Sequence, residues 1–100
     1  SLYAVINASG TNNTLVAAIA TRKIRVLAYN MISQVGVNAQ FQSGTGASNL
    51  LTGVYFISSN AGLVAPYCPV GWFESSGNSL LNLKLSAAQS IGGCMTYLEI

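Results

Sequence analysis

The chain lacks histidine and aspartate, and its only carboxylate side chains are those of Glu74 and Glu99. Histidine is the commonest general base and metal ligand, so its absence excludes Ser–His and Cys–His nucleophile pairs. A glycosidase needs two carboxylates that face one bond, and Glu74, beside a predicted turn, is not expected to meet Glu99. Two cysteines are too few for a zinc site, and no glycine-rich loop precedes a lysine. We therefore expect no enzyme, no cofactor and no metal.

Charge is also scarce. Only 6% of the 100 residues are charged, against about a quarter in an average globular protein. The hydrophobic share is 51% and the mean hydropathy is +0.48, yet no apolar run approaches the roughly 18 residues of a spanning helix. The net charge of +2 is too small for a nucleic-acid-binding domain. We expect neither a membrane nor a nucleic acid as partner, and we expect neighbouring subunits to cover part of the surface.

The clearest local pattern lies in residues 79–87, where leucines occupy every second position from 81 to 85. Polar side chains, including Asn82 and Lys84, fall between them. Successive side chains of a strand point to opposite faces, so this alternation predicts a half-buried strand with its polar face in water.

Other runs predict further strands, separated by polar or glycine-containing turns. Residues 14–20 could also form a short helix. Residues 24–33 change from one apolar face to two, which is typical of a strand that passes under a neighbouring element or into an interface. The loop at 43–49 and the turns at 58–62 and 88–93 are rich in Ser, Asn and Gly. Beside the leucine strand, the predicted strands are 2–6, 14–20, 24–33, 35–43, 50–57, 63–67 and 94–100.

The strand spacing is close to the 8–12 residues typical of an all-β sandwich or barrel, and no periodic helix competes. The sequence therefore predicts one all-β domain over residues 1–100. About eight short antiparallel strands would form a two-sheet jelly-roll or Greek-key sandwich. Few charges are available to protect the sheet edges from pairing with other strands, so burial of the edges between subunits would remove that hazard.

Two groups of side chains can each be interpreted in two ways. The cluster of Arg22, Lys23 and Arg25 fits either a docking patch for an acidic partner surface or a solvated hairpin that protects a sheet edge. Tyr67, Trp72 and Phe73 could stack on a sugar, but large aromatic residues are more often divided between the core and a subunit contact.

The redox state of the two cysteines, Cys68 and Cys94, also has two interpretations. They could form one disulfide bond or remain two small thiols, and without a visible signal peptide we favour reduced thiols.

One arrangement of strands and turns covers residues 4–10, 23–29, 41–44, 51–53, 69–74, 81–88 and 92–100. Its best marker is Gly-Trp-Phe-Glu at 71–74, followed by Leu-Asn-Leu at 81–83. In this arrangement the chain resembles a family of small virion proteins of tailed phages. The family's pattern has a histidine in the closing strand where this chain has Cys94, which argues against a metal role there.

The resemblance implies a jelly-roll-like sandwich that serves as a decoration, or cement, protein on virions assembled in the host cytoplasm. Such a protein binds the outer surface of the major capsid protein as a homo-oligomer, with a trimer favoured over a dimer. Similar sandwiches occur in tails and fibres, so a tail or receptor-binding module that recognises carbohydrate is the alternative. The predicted interface residues are Leu27, Tyr29, Met31, Tyr55, Trp72 and Tyr97, with Arg22, Lys23 and Arg25 for docking.

Overall fold

The computed structural model describes residues 2–46 and 49–100; Ala47 and Ser48 of the predicted loop at 43–49 lie outside them. These residues form nine strands in two antiparallel sheets and contain no helix that could cross a membrane. The strands are β1 (Leu2–Ala8), β2 (Asn12–Val16), β3 (Ile24–Ser33), β4 (Val37–Ser43), β5 (Tyr55–Ile57), β6 (Gly62–Ala65), β7 (Phe73–Glu74), β8 (Leu81–Leu85) and β9 (Ile91–Glu99).

The strand order is that of a jelly roll. One sheet has the order β1-β9-β3-β6, with β7 also paired to β3, and the other has the order β2-β8-β4-β5. A jelly roll can be described as one long hairpin that has rolled up. The hairpin accounts for the pairs β1–β9, β2–β8, β3–β6 and β4–β5. Rolling up adds the pairs β3–β9 and β4–β8. The predicted all-β, two-sheet antiparallel sandwich is therefore confirmed.

The core lies between the sheets and is joined across them by aromatic rings. The ring of Phe41 in β4 lies 5.0 Å from that of Tyr29 in β3 and 4.9 Å from that of Phe73 in β7. The hydroxyl groups of Tyr29 and Tyr55 are 2.9 Å apart, which adds a hydrogen bond between the sheets. Burial, and then this hydrogen bond, raise the pKa of Tyr29 well above its ordinary value.

A β-bulge explains the change of pattern in β3. The register with β9 shifts between Val26 and Ala28, so Leu27 is an extra residue. One extra residue moves the following side chains to the opposite faces, and Tyr29 and Met31 therefore point into the core, as Val26 does. The apolar residues of both parities thus reflect a bulge and do not by themselves indicate that the strand passes under a neighbour or into an interface. A partner contact on the outer side of β3 stays a prediction.

The leucine strand is confirmed as β8, but its predicted wet face is wrong at Asn82. Asn82 is completely buried, as are the leucines. Its Oδ1 accepts a hydrogen bond of 2.8 Å from the backbone of Asn13, and its Nδ2 donates one of 3.1 Å to Oδ1 of Asn12. Strand β2 supplies both partners, so burial leaves the amide satisfied.

Three other predicted segments differ from the structure. The second strand occupies Asn12–Val16 rather than 14–20. Of the buried strand predicted at 50–57, only Tyr55–Ile57 forms a strand. Leu50 makes an isolated bridge to Gln42 of β4, and Leu51 N donates to the carbonyl of Phe41 at 3.0 Å. The glycines predicted to end the turn at 88–93 lie inside β9.

Candidate interaction surface

The outer face of the first sheet carries three rows of side chains that we call the open face. The rows follow the strand registers, because directly opposed residues of antiparallel strands lie on the same side of the sheet. They are Tyr3–Thr96–Ala28, Val5–Cys94–Asn30–Val64 and Asn7–Gly92–Ile32–Gly62.

The open face is apolar, uncharged and uncovered. Val64 is 79% exposed, Tyr3 76%, Val5 65% and Ile32 62%. None of the residues in the three rows carries a charge. A single exposed apolar residue is ordinary, but a contiguous group of them is typical of a binding surface.

A shallow hollow of about 130 Å³ lies in the middle of the open face. The residues that line it include Ala28, Thr96 and Val64. Asn30 Nδ2 donates to the sulfur of Cys94 at 3.4 Å, so the most polar group of this region already has a partner. The hollow suits an apolar side chain of a partner better than a charged one.

The outer face of the second sheet has a different chemistry. Its rows place Asn12, Lys84 and Gln40 side by side, and Gln42 beside Asn82. These amides bond to one another and to the backbone: Gln42 Nε2 donates to Gln40 Oε1 at 3.3 Å, for example. The outer face of the second sheet is therefore mostly polar, although Phe56 in the edge strand β5 is exposed there. The three uncharged rows of the first sheet are the candidate interaction surface.

No protein-family model, no curated protein and no solved structure matches the chain. Its function is therefore inferred from the chemistry of its surface, its composition and the resemblance described above.

The positively charged cluster is largely occupied by a carboxylate of the chain itself. Arg25 Nη2 lies 3.0 Å from Oε1 of Glu74, and Lys23 Nζ lies 3.3 Å from Oε2 of the same carboxylate. The hydrogen bond from Arg25, reinforced by the one from Lys23, lowers the pKa of Glu74. Arg22 donates to the backbone carbonyl of Glu99 at 3.3 Å. An acidic partner therefore finds less free charge here than the sequence indicates.

The three aromatic residues predicted for sugar stacking are not brought together as one platform. Phe73 packs into the core against Phe41 and Tyr29. Tyr67 and Trp72 are 66% and 50% exposed, in the loop that joins β6 to β7.

That loop is fastened to β3. The backbone amide of Cys68 donates to the carbonyl of Leu27 at 2.9 Å, and that of Trp72 donates to the carbonyl of Val26 at 2.8 Å. Gly71 has φ +86°, and a Cβ there would lie 2.5 Å from Cγ of Arg25, so only glycine fits. The exposed aromatic side chains thus lie on a loop whose backbone is hydrogen-bonded to β3.

The predicted interface residues fall into three groups by burial. Leu27, Tyr29 and Met31 are at most 7% exposed and cannot contact a partner in the folded chain, so these three predictions are wrong. The bulge is the reason, since it turns Tyr29 and Met31 inward. The half-buried tyrosines, Tyr55 and Tyr97, pack against the core.

Arg22, Lys23 and Trp72 are exposed and Arg25 is partly exposed, and their contact with a partner stays a prediction. The residues that sequence reasoning missed are Tyr3, Val5, Ile32 and Val64. A signal existed in β1, because residues 2–6 are apolar at both odd and even positions, which indicates a strand with two apolar faces.

The titratable groups outside the charged cluster are few. Both cysteines are free thiols, Cys68 half-buried in the β6–β7 loop and Cys94 exposed on the open face. Within residues 2–46 and 49–100, no three Cys, Asp or Glu side chains come together to hold a metal ion.

Proposed function

We propose that this chain is a structural protein of a tailed-phage particle. It acts as a decoration, or cement, protein that binds the outer surface of the capsid and bridges subunits of the major capsid protein. The observation that carries the proposal is the open face, an apolar surface of three rows without a charged side chain. The family resemblance supplies the phage particle, and the jelly roll is a fold that capsid domains share.

The proposed mechanism is adhesion without catalysis. A specific contact buries about 800 Å² on each partner, which is about a seventh of this chain's 5168 Å² of accessible surface. The open face offers apolar side chains for the centre of such a contact. Many symmetric copies on one shell convert individually weak contacts into stable attachment. The partners are the major capsid protein and further copies of this chain, and no nucleic acid, membrane or cofactor takes part.

Particle location is the direct test. Particles of the encoding phage are purified on a density gradient, and the ratio of this chain to the major capsid protein is measured by quantitative mass spectrometry. The expected result is a fixed ratio that survives a wash in about 1 M salt, because apolar contacts are not screened by ions. A chain found only in the free fraction would overturn the proposal.

A carbohydrate-binding module of a tail or fibre is the second candidate. Tyr67 and Trp72 favour it, because both are exposed in one held loop, and lectins also use the jelly-roll fold. Trp72 is the only tryptophan, so its fluorescence reports on this loop alone. A saturable change on titration with sugars would support this candidate, and no change with any tested glycan would remove it.

A further inference from the structure

We propose that β1 pairs with β1 of a second copy across a two-fold axis, so that two sandwiches share one continuous sheet. This inference rests on the homo-oligomer of the proposed function and names its contact. A two-fold contact gives a dimer, in place of the trimer that the resemblance favours.

The proposal begins from the free edge of β1. Seven residues, Leu2–Ala8, pair with β9 in unbroken register, from Leu2 opposite Tyr97 to Ala8 opposite Ile91. In the described part of the chain, no strand pairs with the other edge of β1. A free edge presents unpaired N–H and C=O groups that form a template for another strand.

The other sheet edges are protected. Strand β6 has four residues and Pro66 follows it directly, and β7 has two residues beside the ion pairs of Glu74. Strand β5 has three residues, and the register of β2 shifts between Thr14 and Val16. Short strands, prolines, charges and bulges are the features that natural proteins use to block edge pairing. By contrast, β1 is long, regular and free of charge and proline.

The sequence of β1 suits pairing with itself. An antiparallel two-fold centred on Val5 places Val5 opposite Val5, and Tyr3 opposite Asn7. The even-numbered residues, which face the core, then meet even-numbered residues, so the two cores lie on the same side of the joined sheet. No like charges meet, because the strand carries none.

Self-pairing would also extend the candidate interaction surface. The strand order of the joined sheet would be β6-β3-β9-β1 followed by the same four strands of the second copy in reverse. Val5, which is 65% exposed in one copy, would pack beside Val5 of the second copy, and Tyr3, which is 76% exposed, would pack beside Asn7 of the second copy. Two open faces would then form a single apolar surface.

The test measures the oligomeric state of the whole chain by sedimentation velocity over a range of concentrations. Wild type is expected to form a dimer, and Val5→Lys to be a monomer, because two lysines would face each other at the two-fold axis. Val64→Lys is the matched control, since it adds the same charge to the same face but on β6, and it should remain a dimer. Thermal unfolding checks that each variant folds, and Val5→Glu, which also places two like charges at the axis, replaces Val5→Lys if that variant does not fold.

A mixing experiment tests the symmetry. Val5→Glu should also be a monomer, and an equal mixture of Val5→Glu and Val5→Lys should form a dimer by charge pairing across the axis. A wild type that stays monomeric up to millimolar concentration overturns the inference, as does a dimer that Val64→Lys breaks and Val5→Lys leaves intact. Pairing of β1 with a strand of another protein, seen by cross-linking on the particle, would also overturn it.

The capsid role and the β1 contact can be disproved independently of each other. A dimer that never associates with particles would remove the capsid role and leave the β1 contact. A monomer that binds particles at a fixed ratio would remove the β1 contact and leave the capsid role.

Discussion

At the residue scale, the adjacent glycines Gly92 and Gly93 of β9 experience different surroundings. A Cβ at Gly93 would overlap the carbonyl oxygen of Asn30 in the neighbouring strand, whereas a Cβ at Gly92 would meet nothing within 4 Å. Glycine is therefore required at position 93. At position 92 it costs conformational entropy without a packing benefit.

This difference predicts opposite effects of one substitution. Gly93→Ala should lower the free energy of unfolding by about 1–3 kcal/mol, because the backbone of two paired strands must move apart. Gly92→Ala should leave it unchanged or raise it by about 0.5 kcal/mol. Urea unfolding of both variants measures the difference, and equal effects would contradict the close approach of β9 to Asn30.

The ion pairs of Glu74 predict a dependence of stability on pH. Because its pKa is lowered in the folded chain by the hydrogen bond from Arg25, Glu74 adds stability above its unfolded pKa of about 4.3. That contribution is lost as the pH falls through the lowered pKa that Glu74 has in the folded chain. The carboxylate is partly exposed, so the effect should be small.

The measurement compares the melting temperature of wild type and Glu74→Gln from pH 7 to pH 2. The advantage of wild type over the variant should be present at neutral pH and disappear in acid. An advantage that grows in acid would show that the ion pairs with Lys23 and Arg25 do not form.

At the element scale, strands with regular alternation could be predicted from sequence, and irregular ones could not. The bounds of β3 were predicted correctly, and the leucine strand predicted within residues 79–87 is β8, which is shorter and spans Leu81–Leu85. The faces of β3 were not predicted correctly, because a bulge at Leu27 shifts the parity and looks like two-sided burial. The burial of Asn82 was missed because its partners, Asn12 and Asn13, are about seventy residues away in sequence.

Strand β5 gives a prediction for a segment whose burial was overestimated. Phe56 is 81% exposed and Ile57 is 6% exposed, so adjacent side chains point to opposite faces. Ile57→Ala should cost about 2–5 kcal/mol of unfolding free energy, because it opens a cavity in the core. Phe56→Ser should change it by less than about 0.5 kcal/mol. Chemical denaturation of the two variants checks this, and a large loss for Phe56→Ser would contradict the exposed position.

At the scale of the whole molecule, the sandwich has two unlike outer faces. Amide side chains cover the central strands of the second sheet, with Phe56 exposed at its edge, while the first sheet presents an open face with no charge in its three rows. The scarcity of charge was evident from composition, but its location was not, because it depends on which strands meet in which sheet. The open face could be identified only after β1, β9, β3 and β6 were seen to lie side by side.

The jelly roll itself does not choose between a capsid protein and a lectin, because one fold supports many functions. The two candidate functions differ in the surface that they need. A capsid contact would use the apolar open face, whereas a glycan contact would use the exposed rings of Tyr67 and Trp72 in the β6–β7 loop.

Binding of lysine variants to purified capsid shells tests the central claim most directly. Val64→Lys places a charge on the open face, and Thr14→Lys places the same charge on the exposed part of the opposite sheet. Val64→Lys should weaken binding at least tenfold, because a lysine would be desolvated in the contact, while Thr14→Lys should bind as wild type does. Equal binding by the two variants, or loss in Thr14→Lys alone, would contradict the assignment of the open face as the attachment surface.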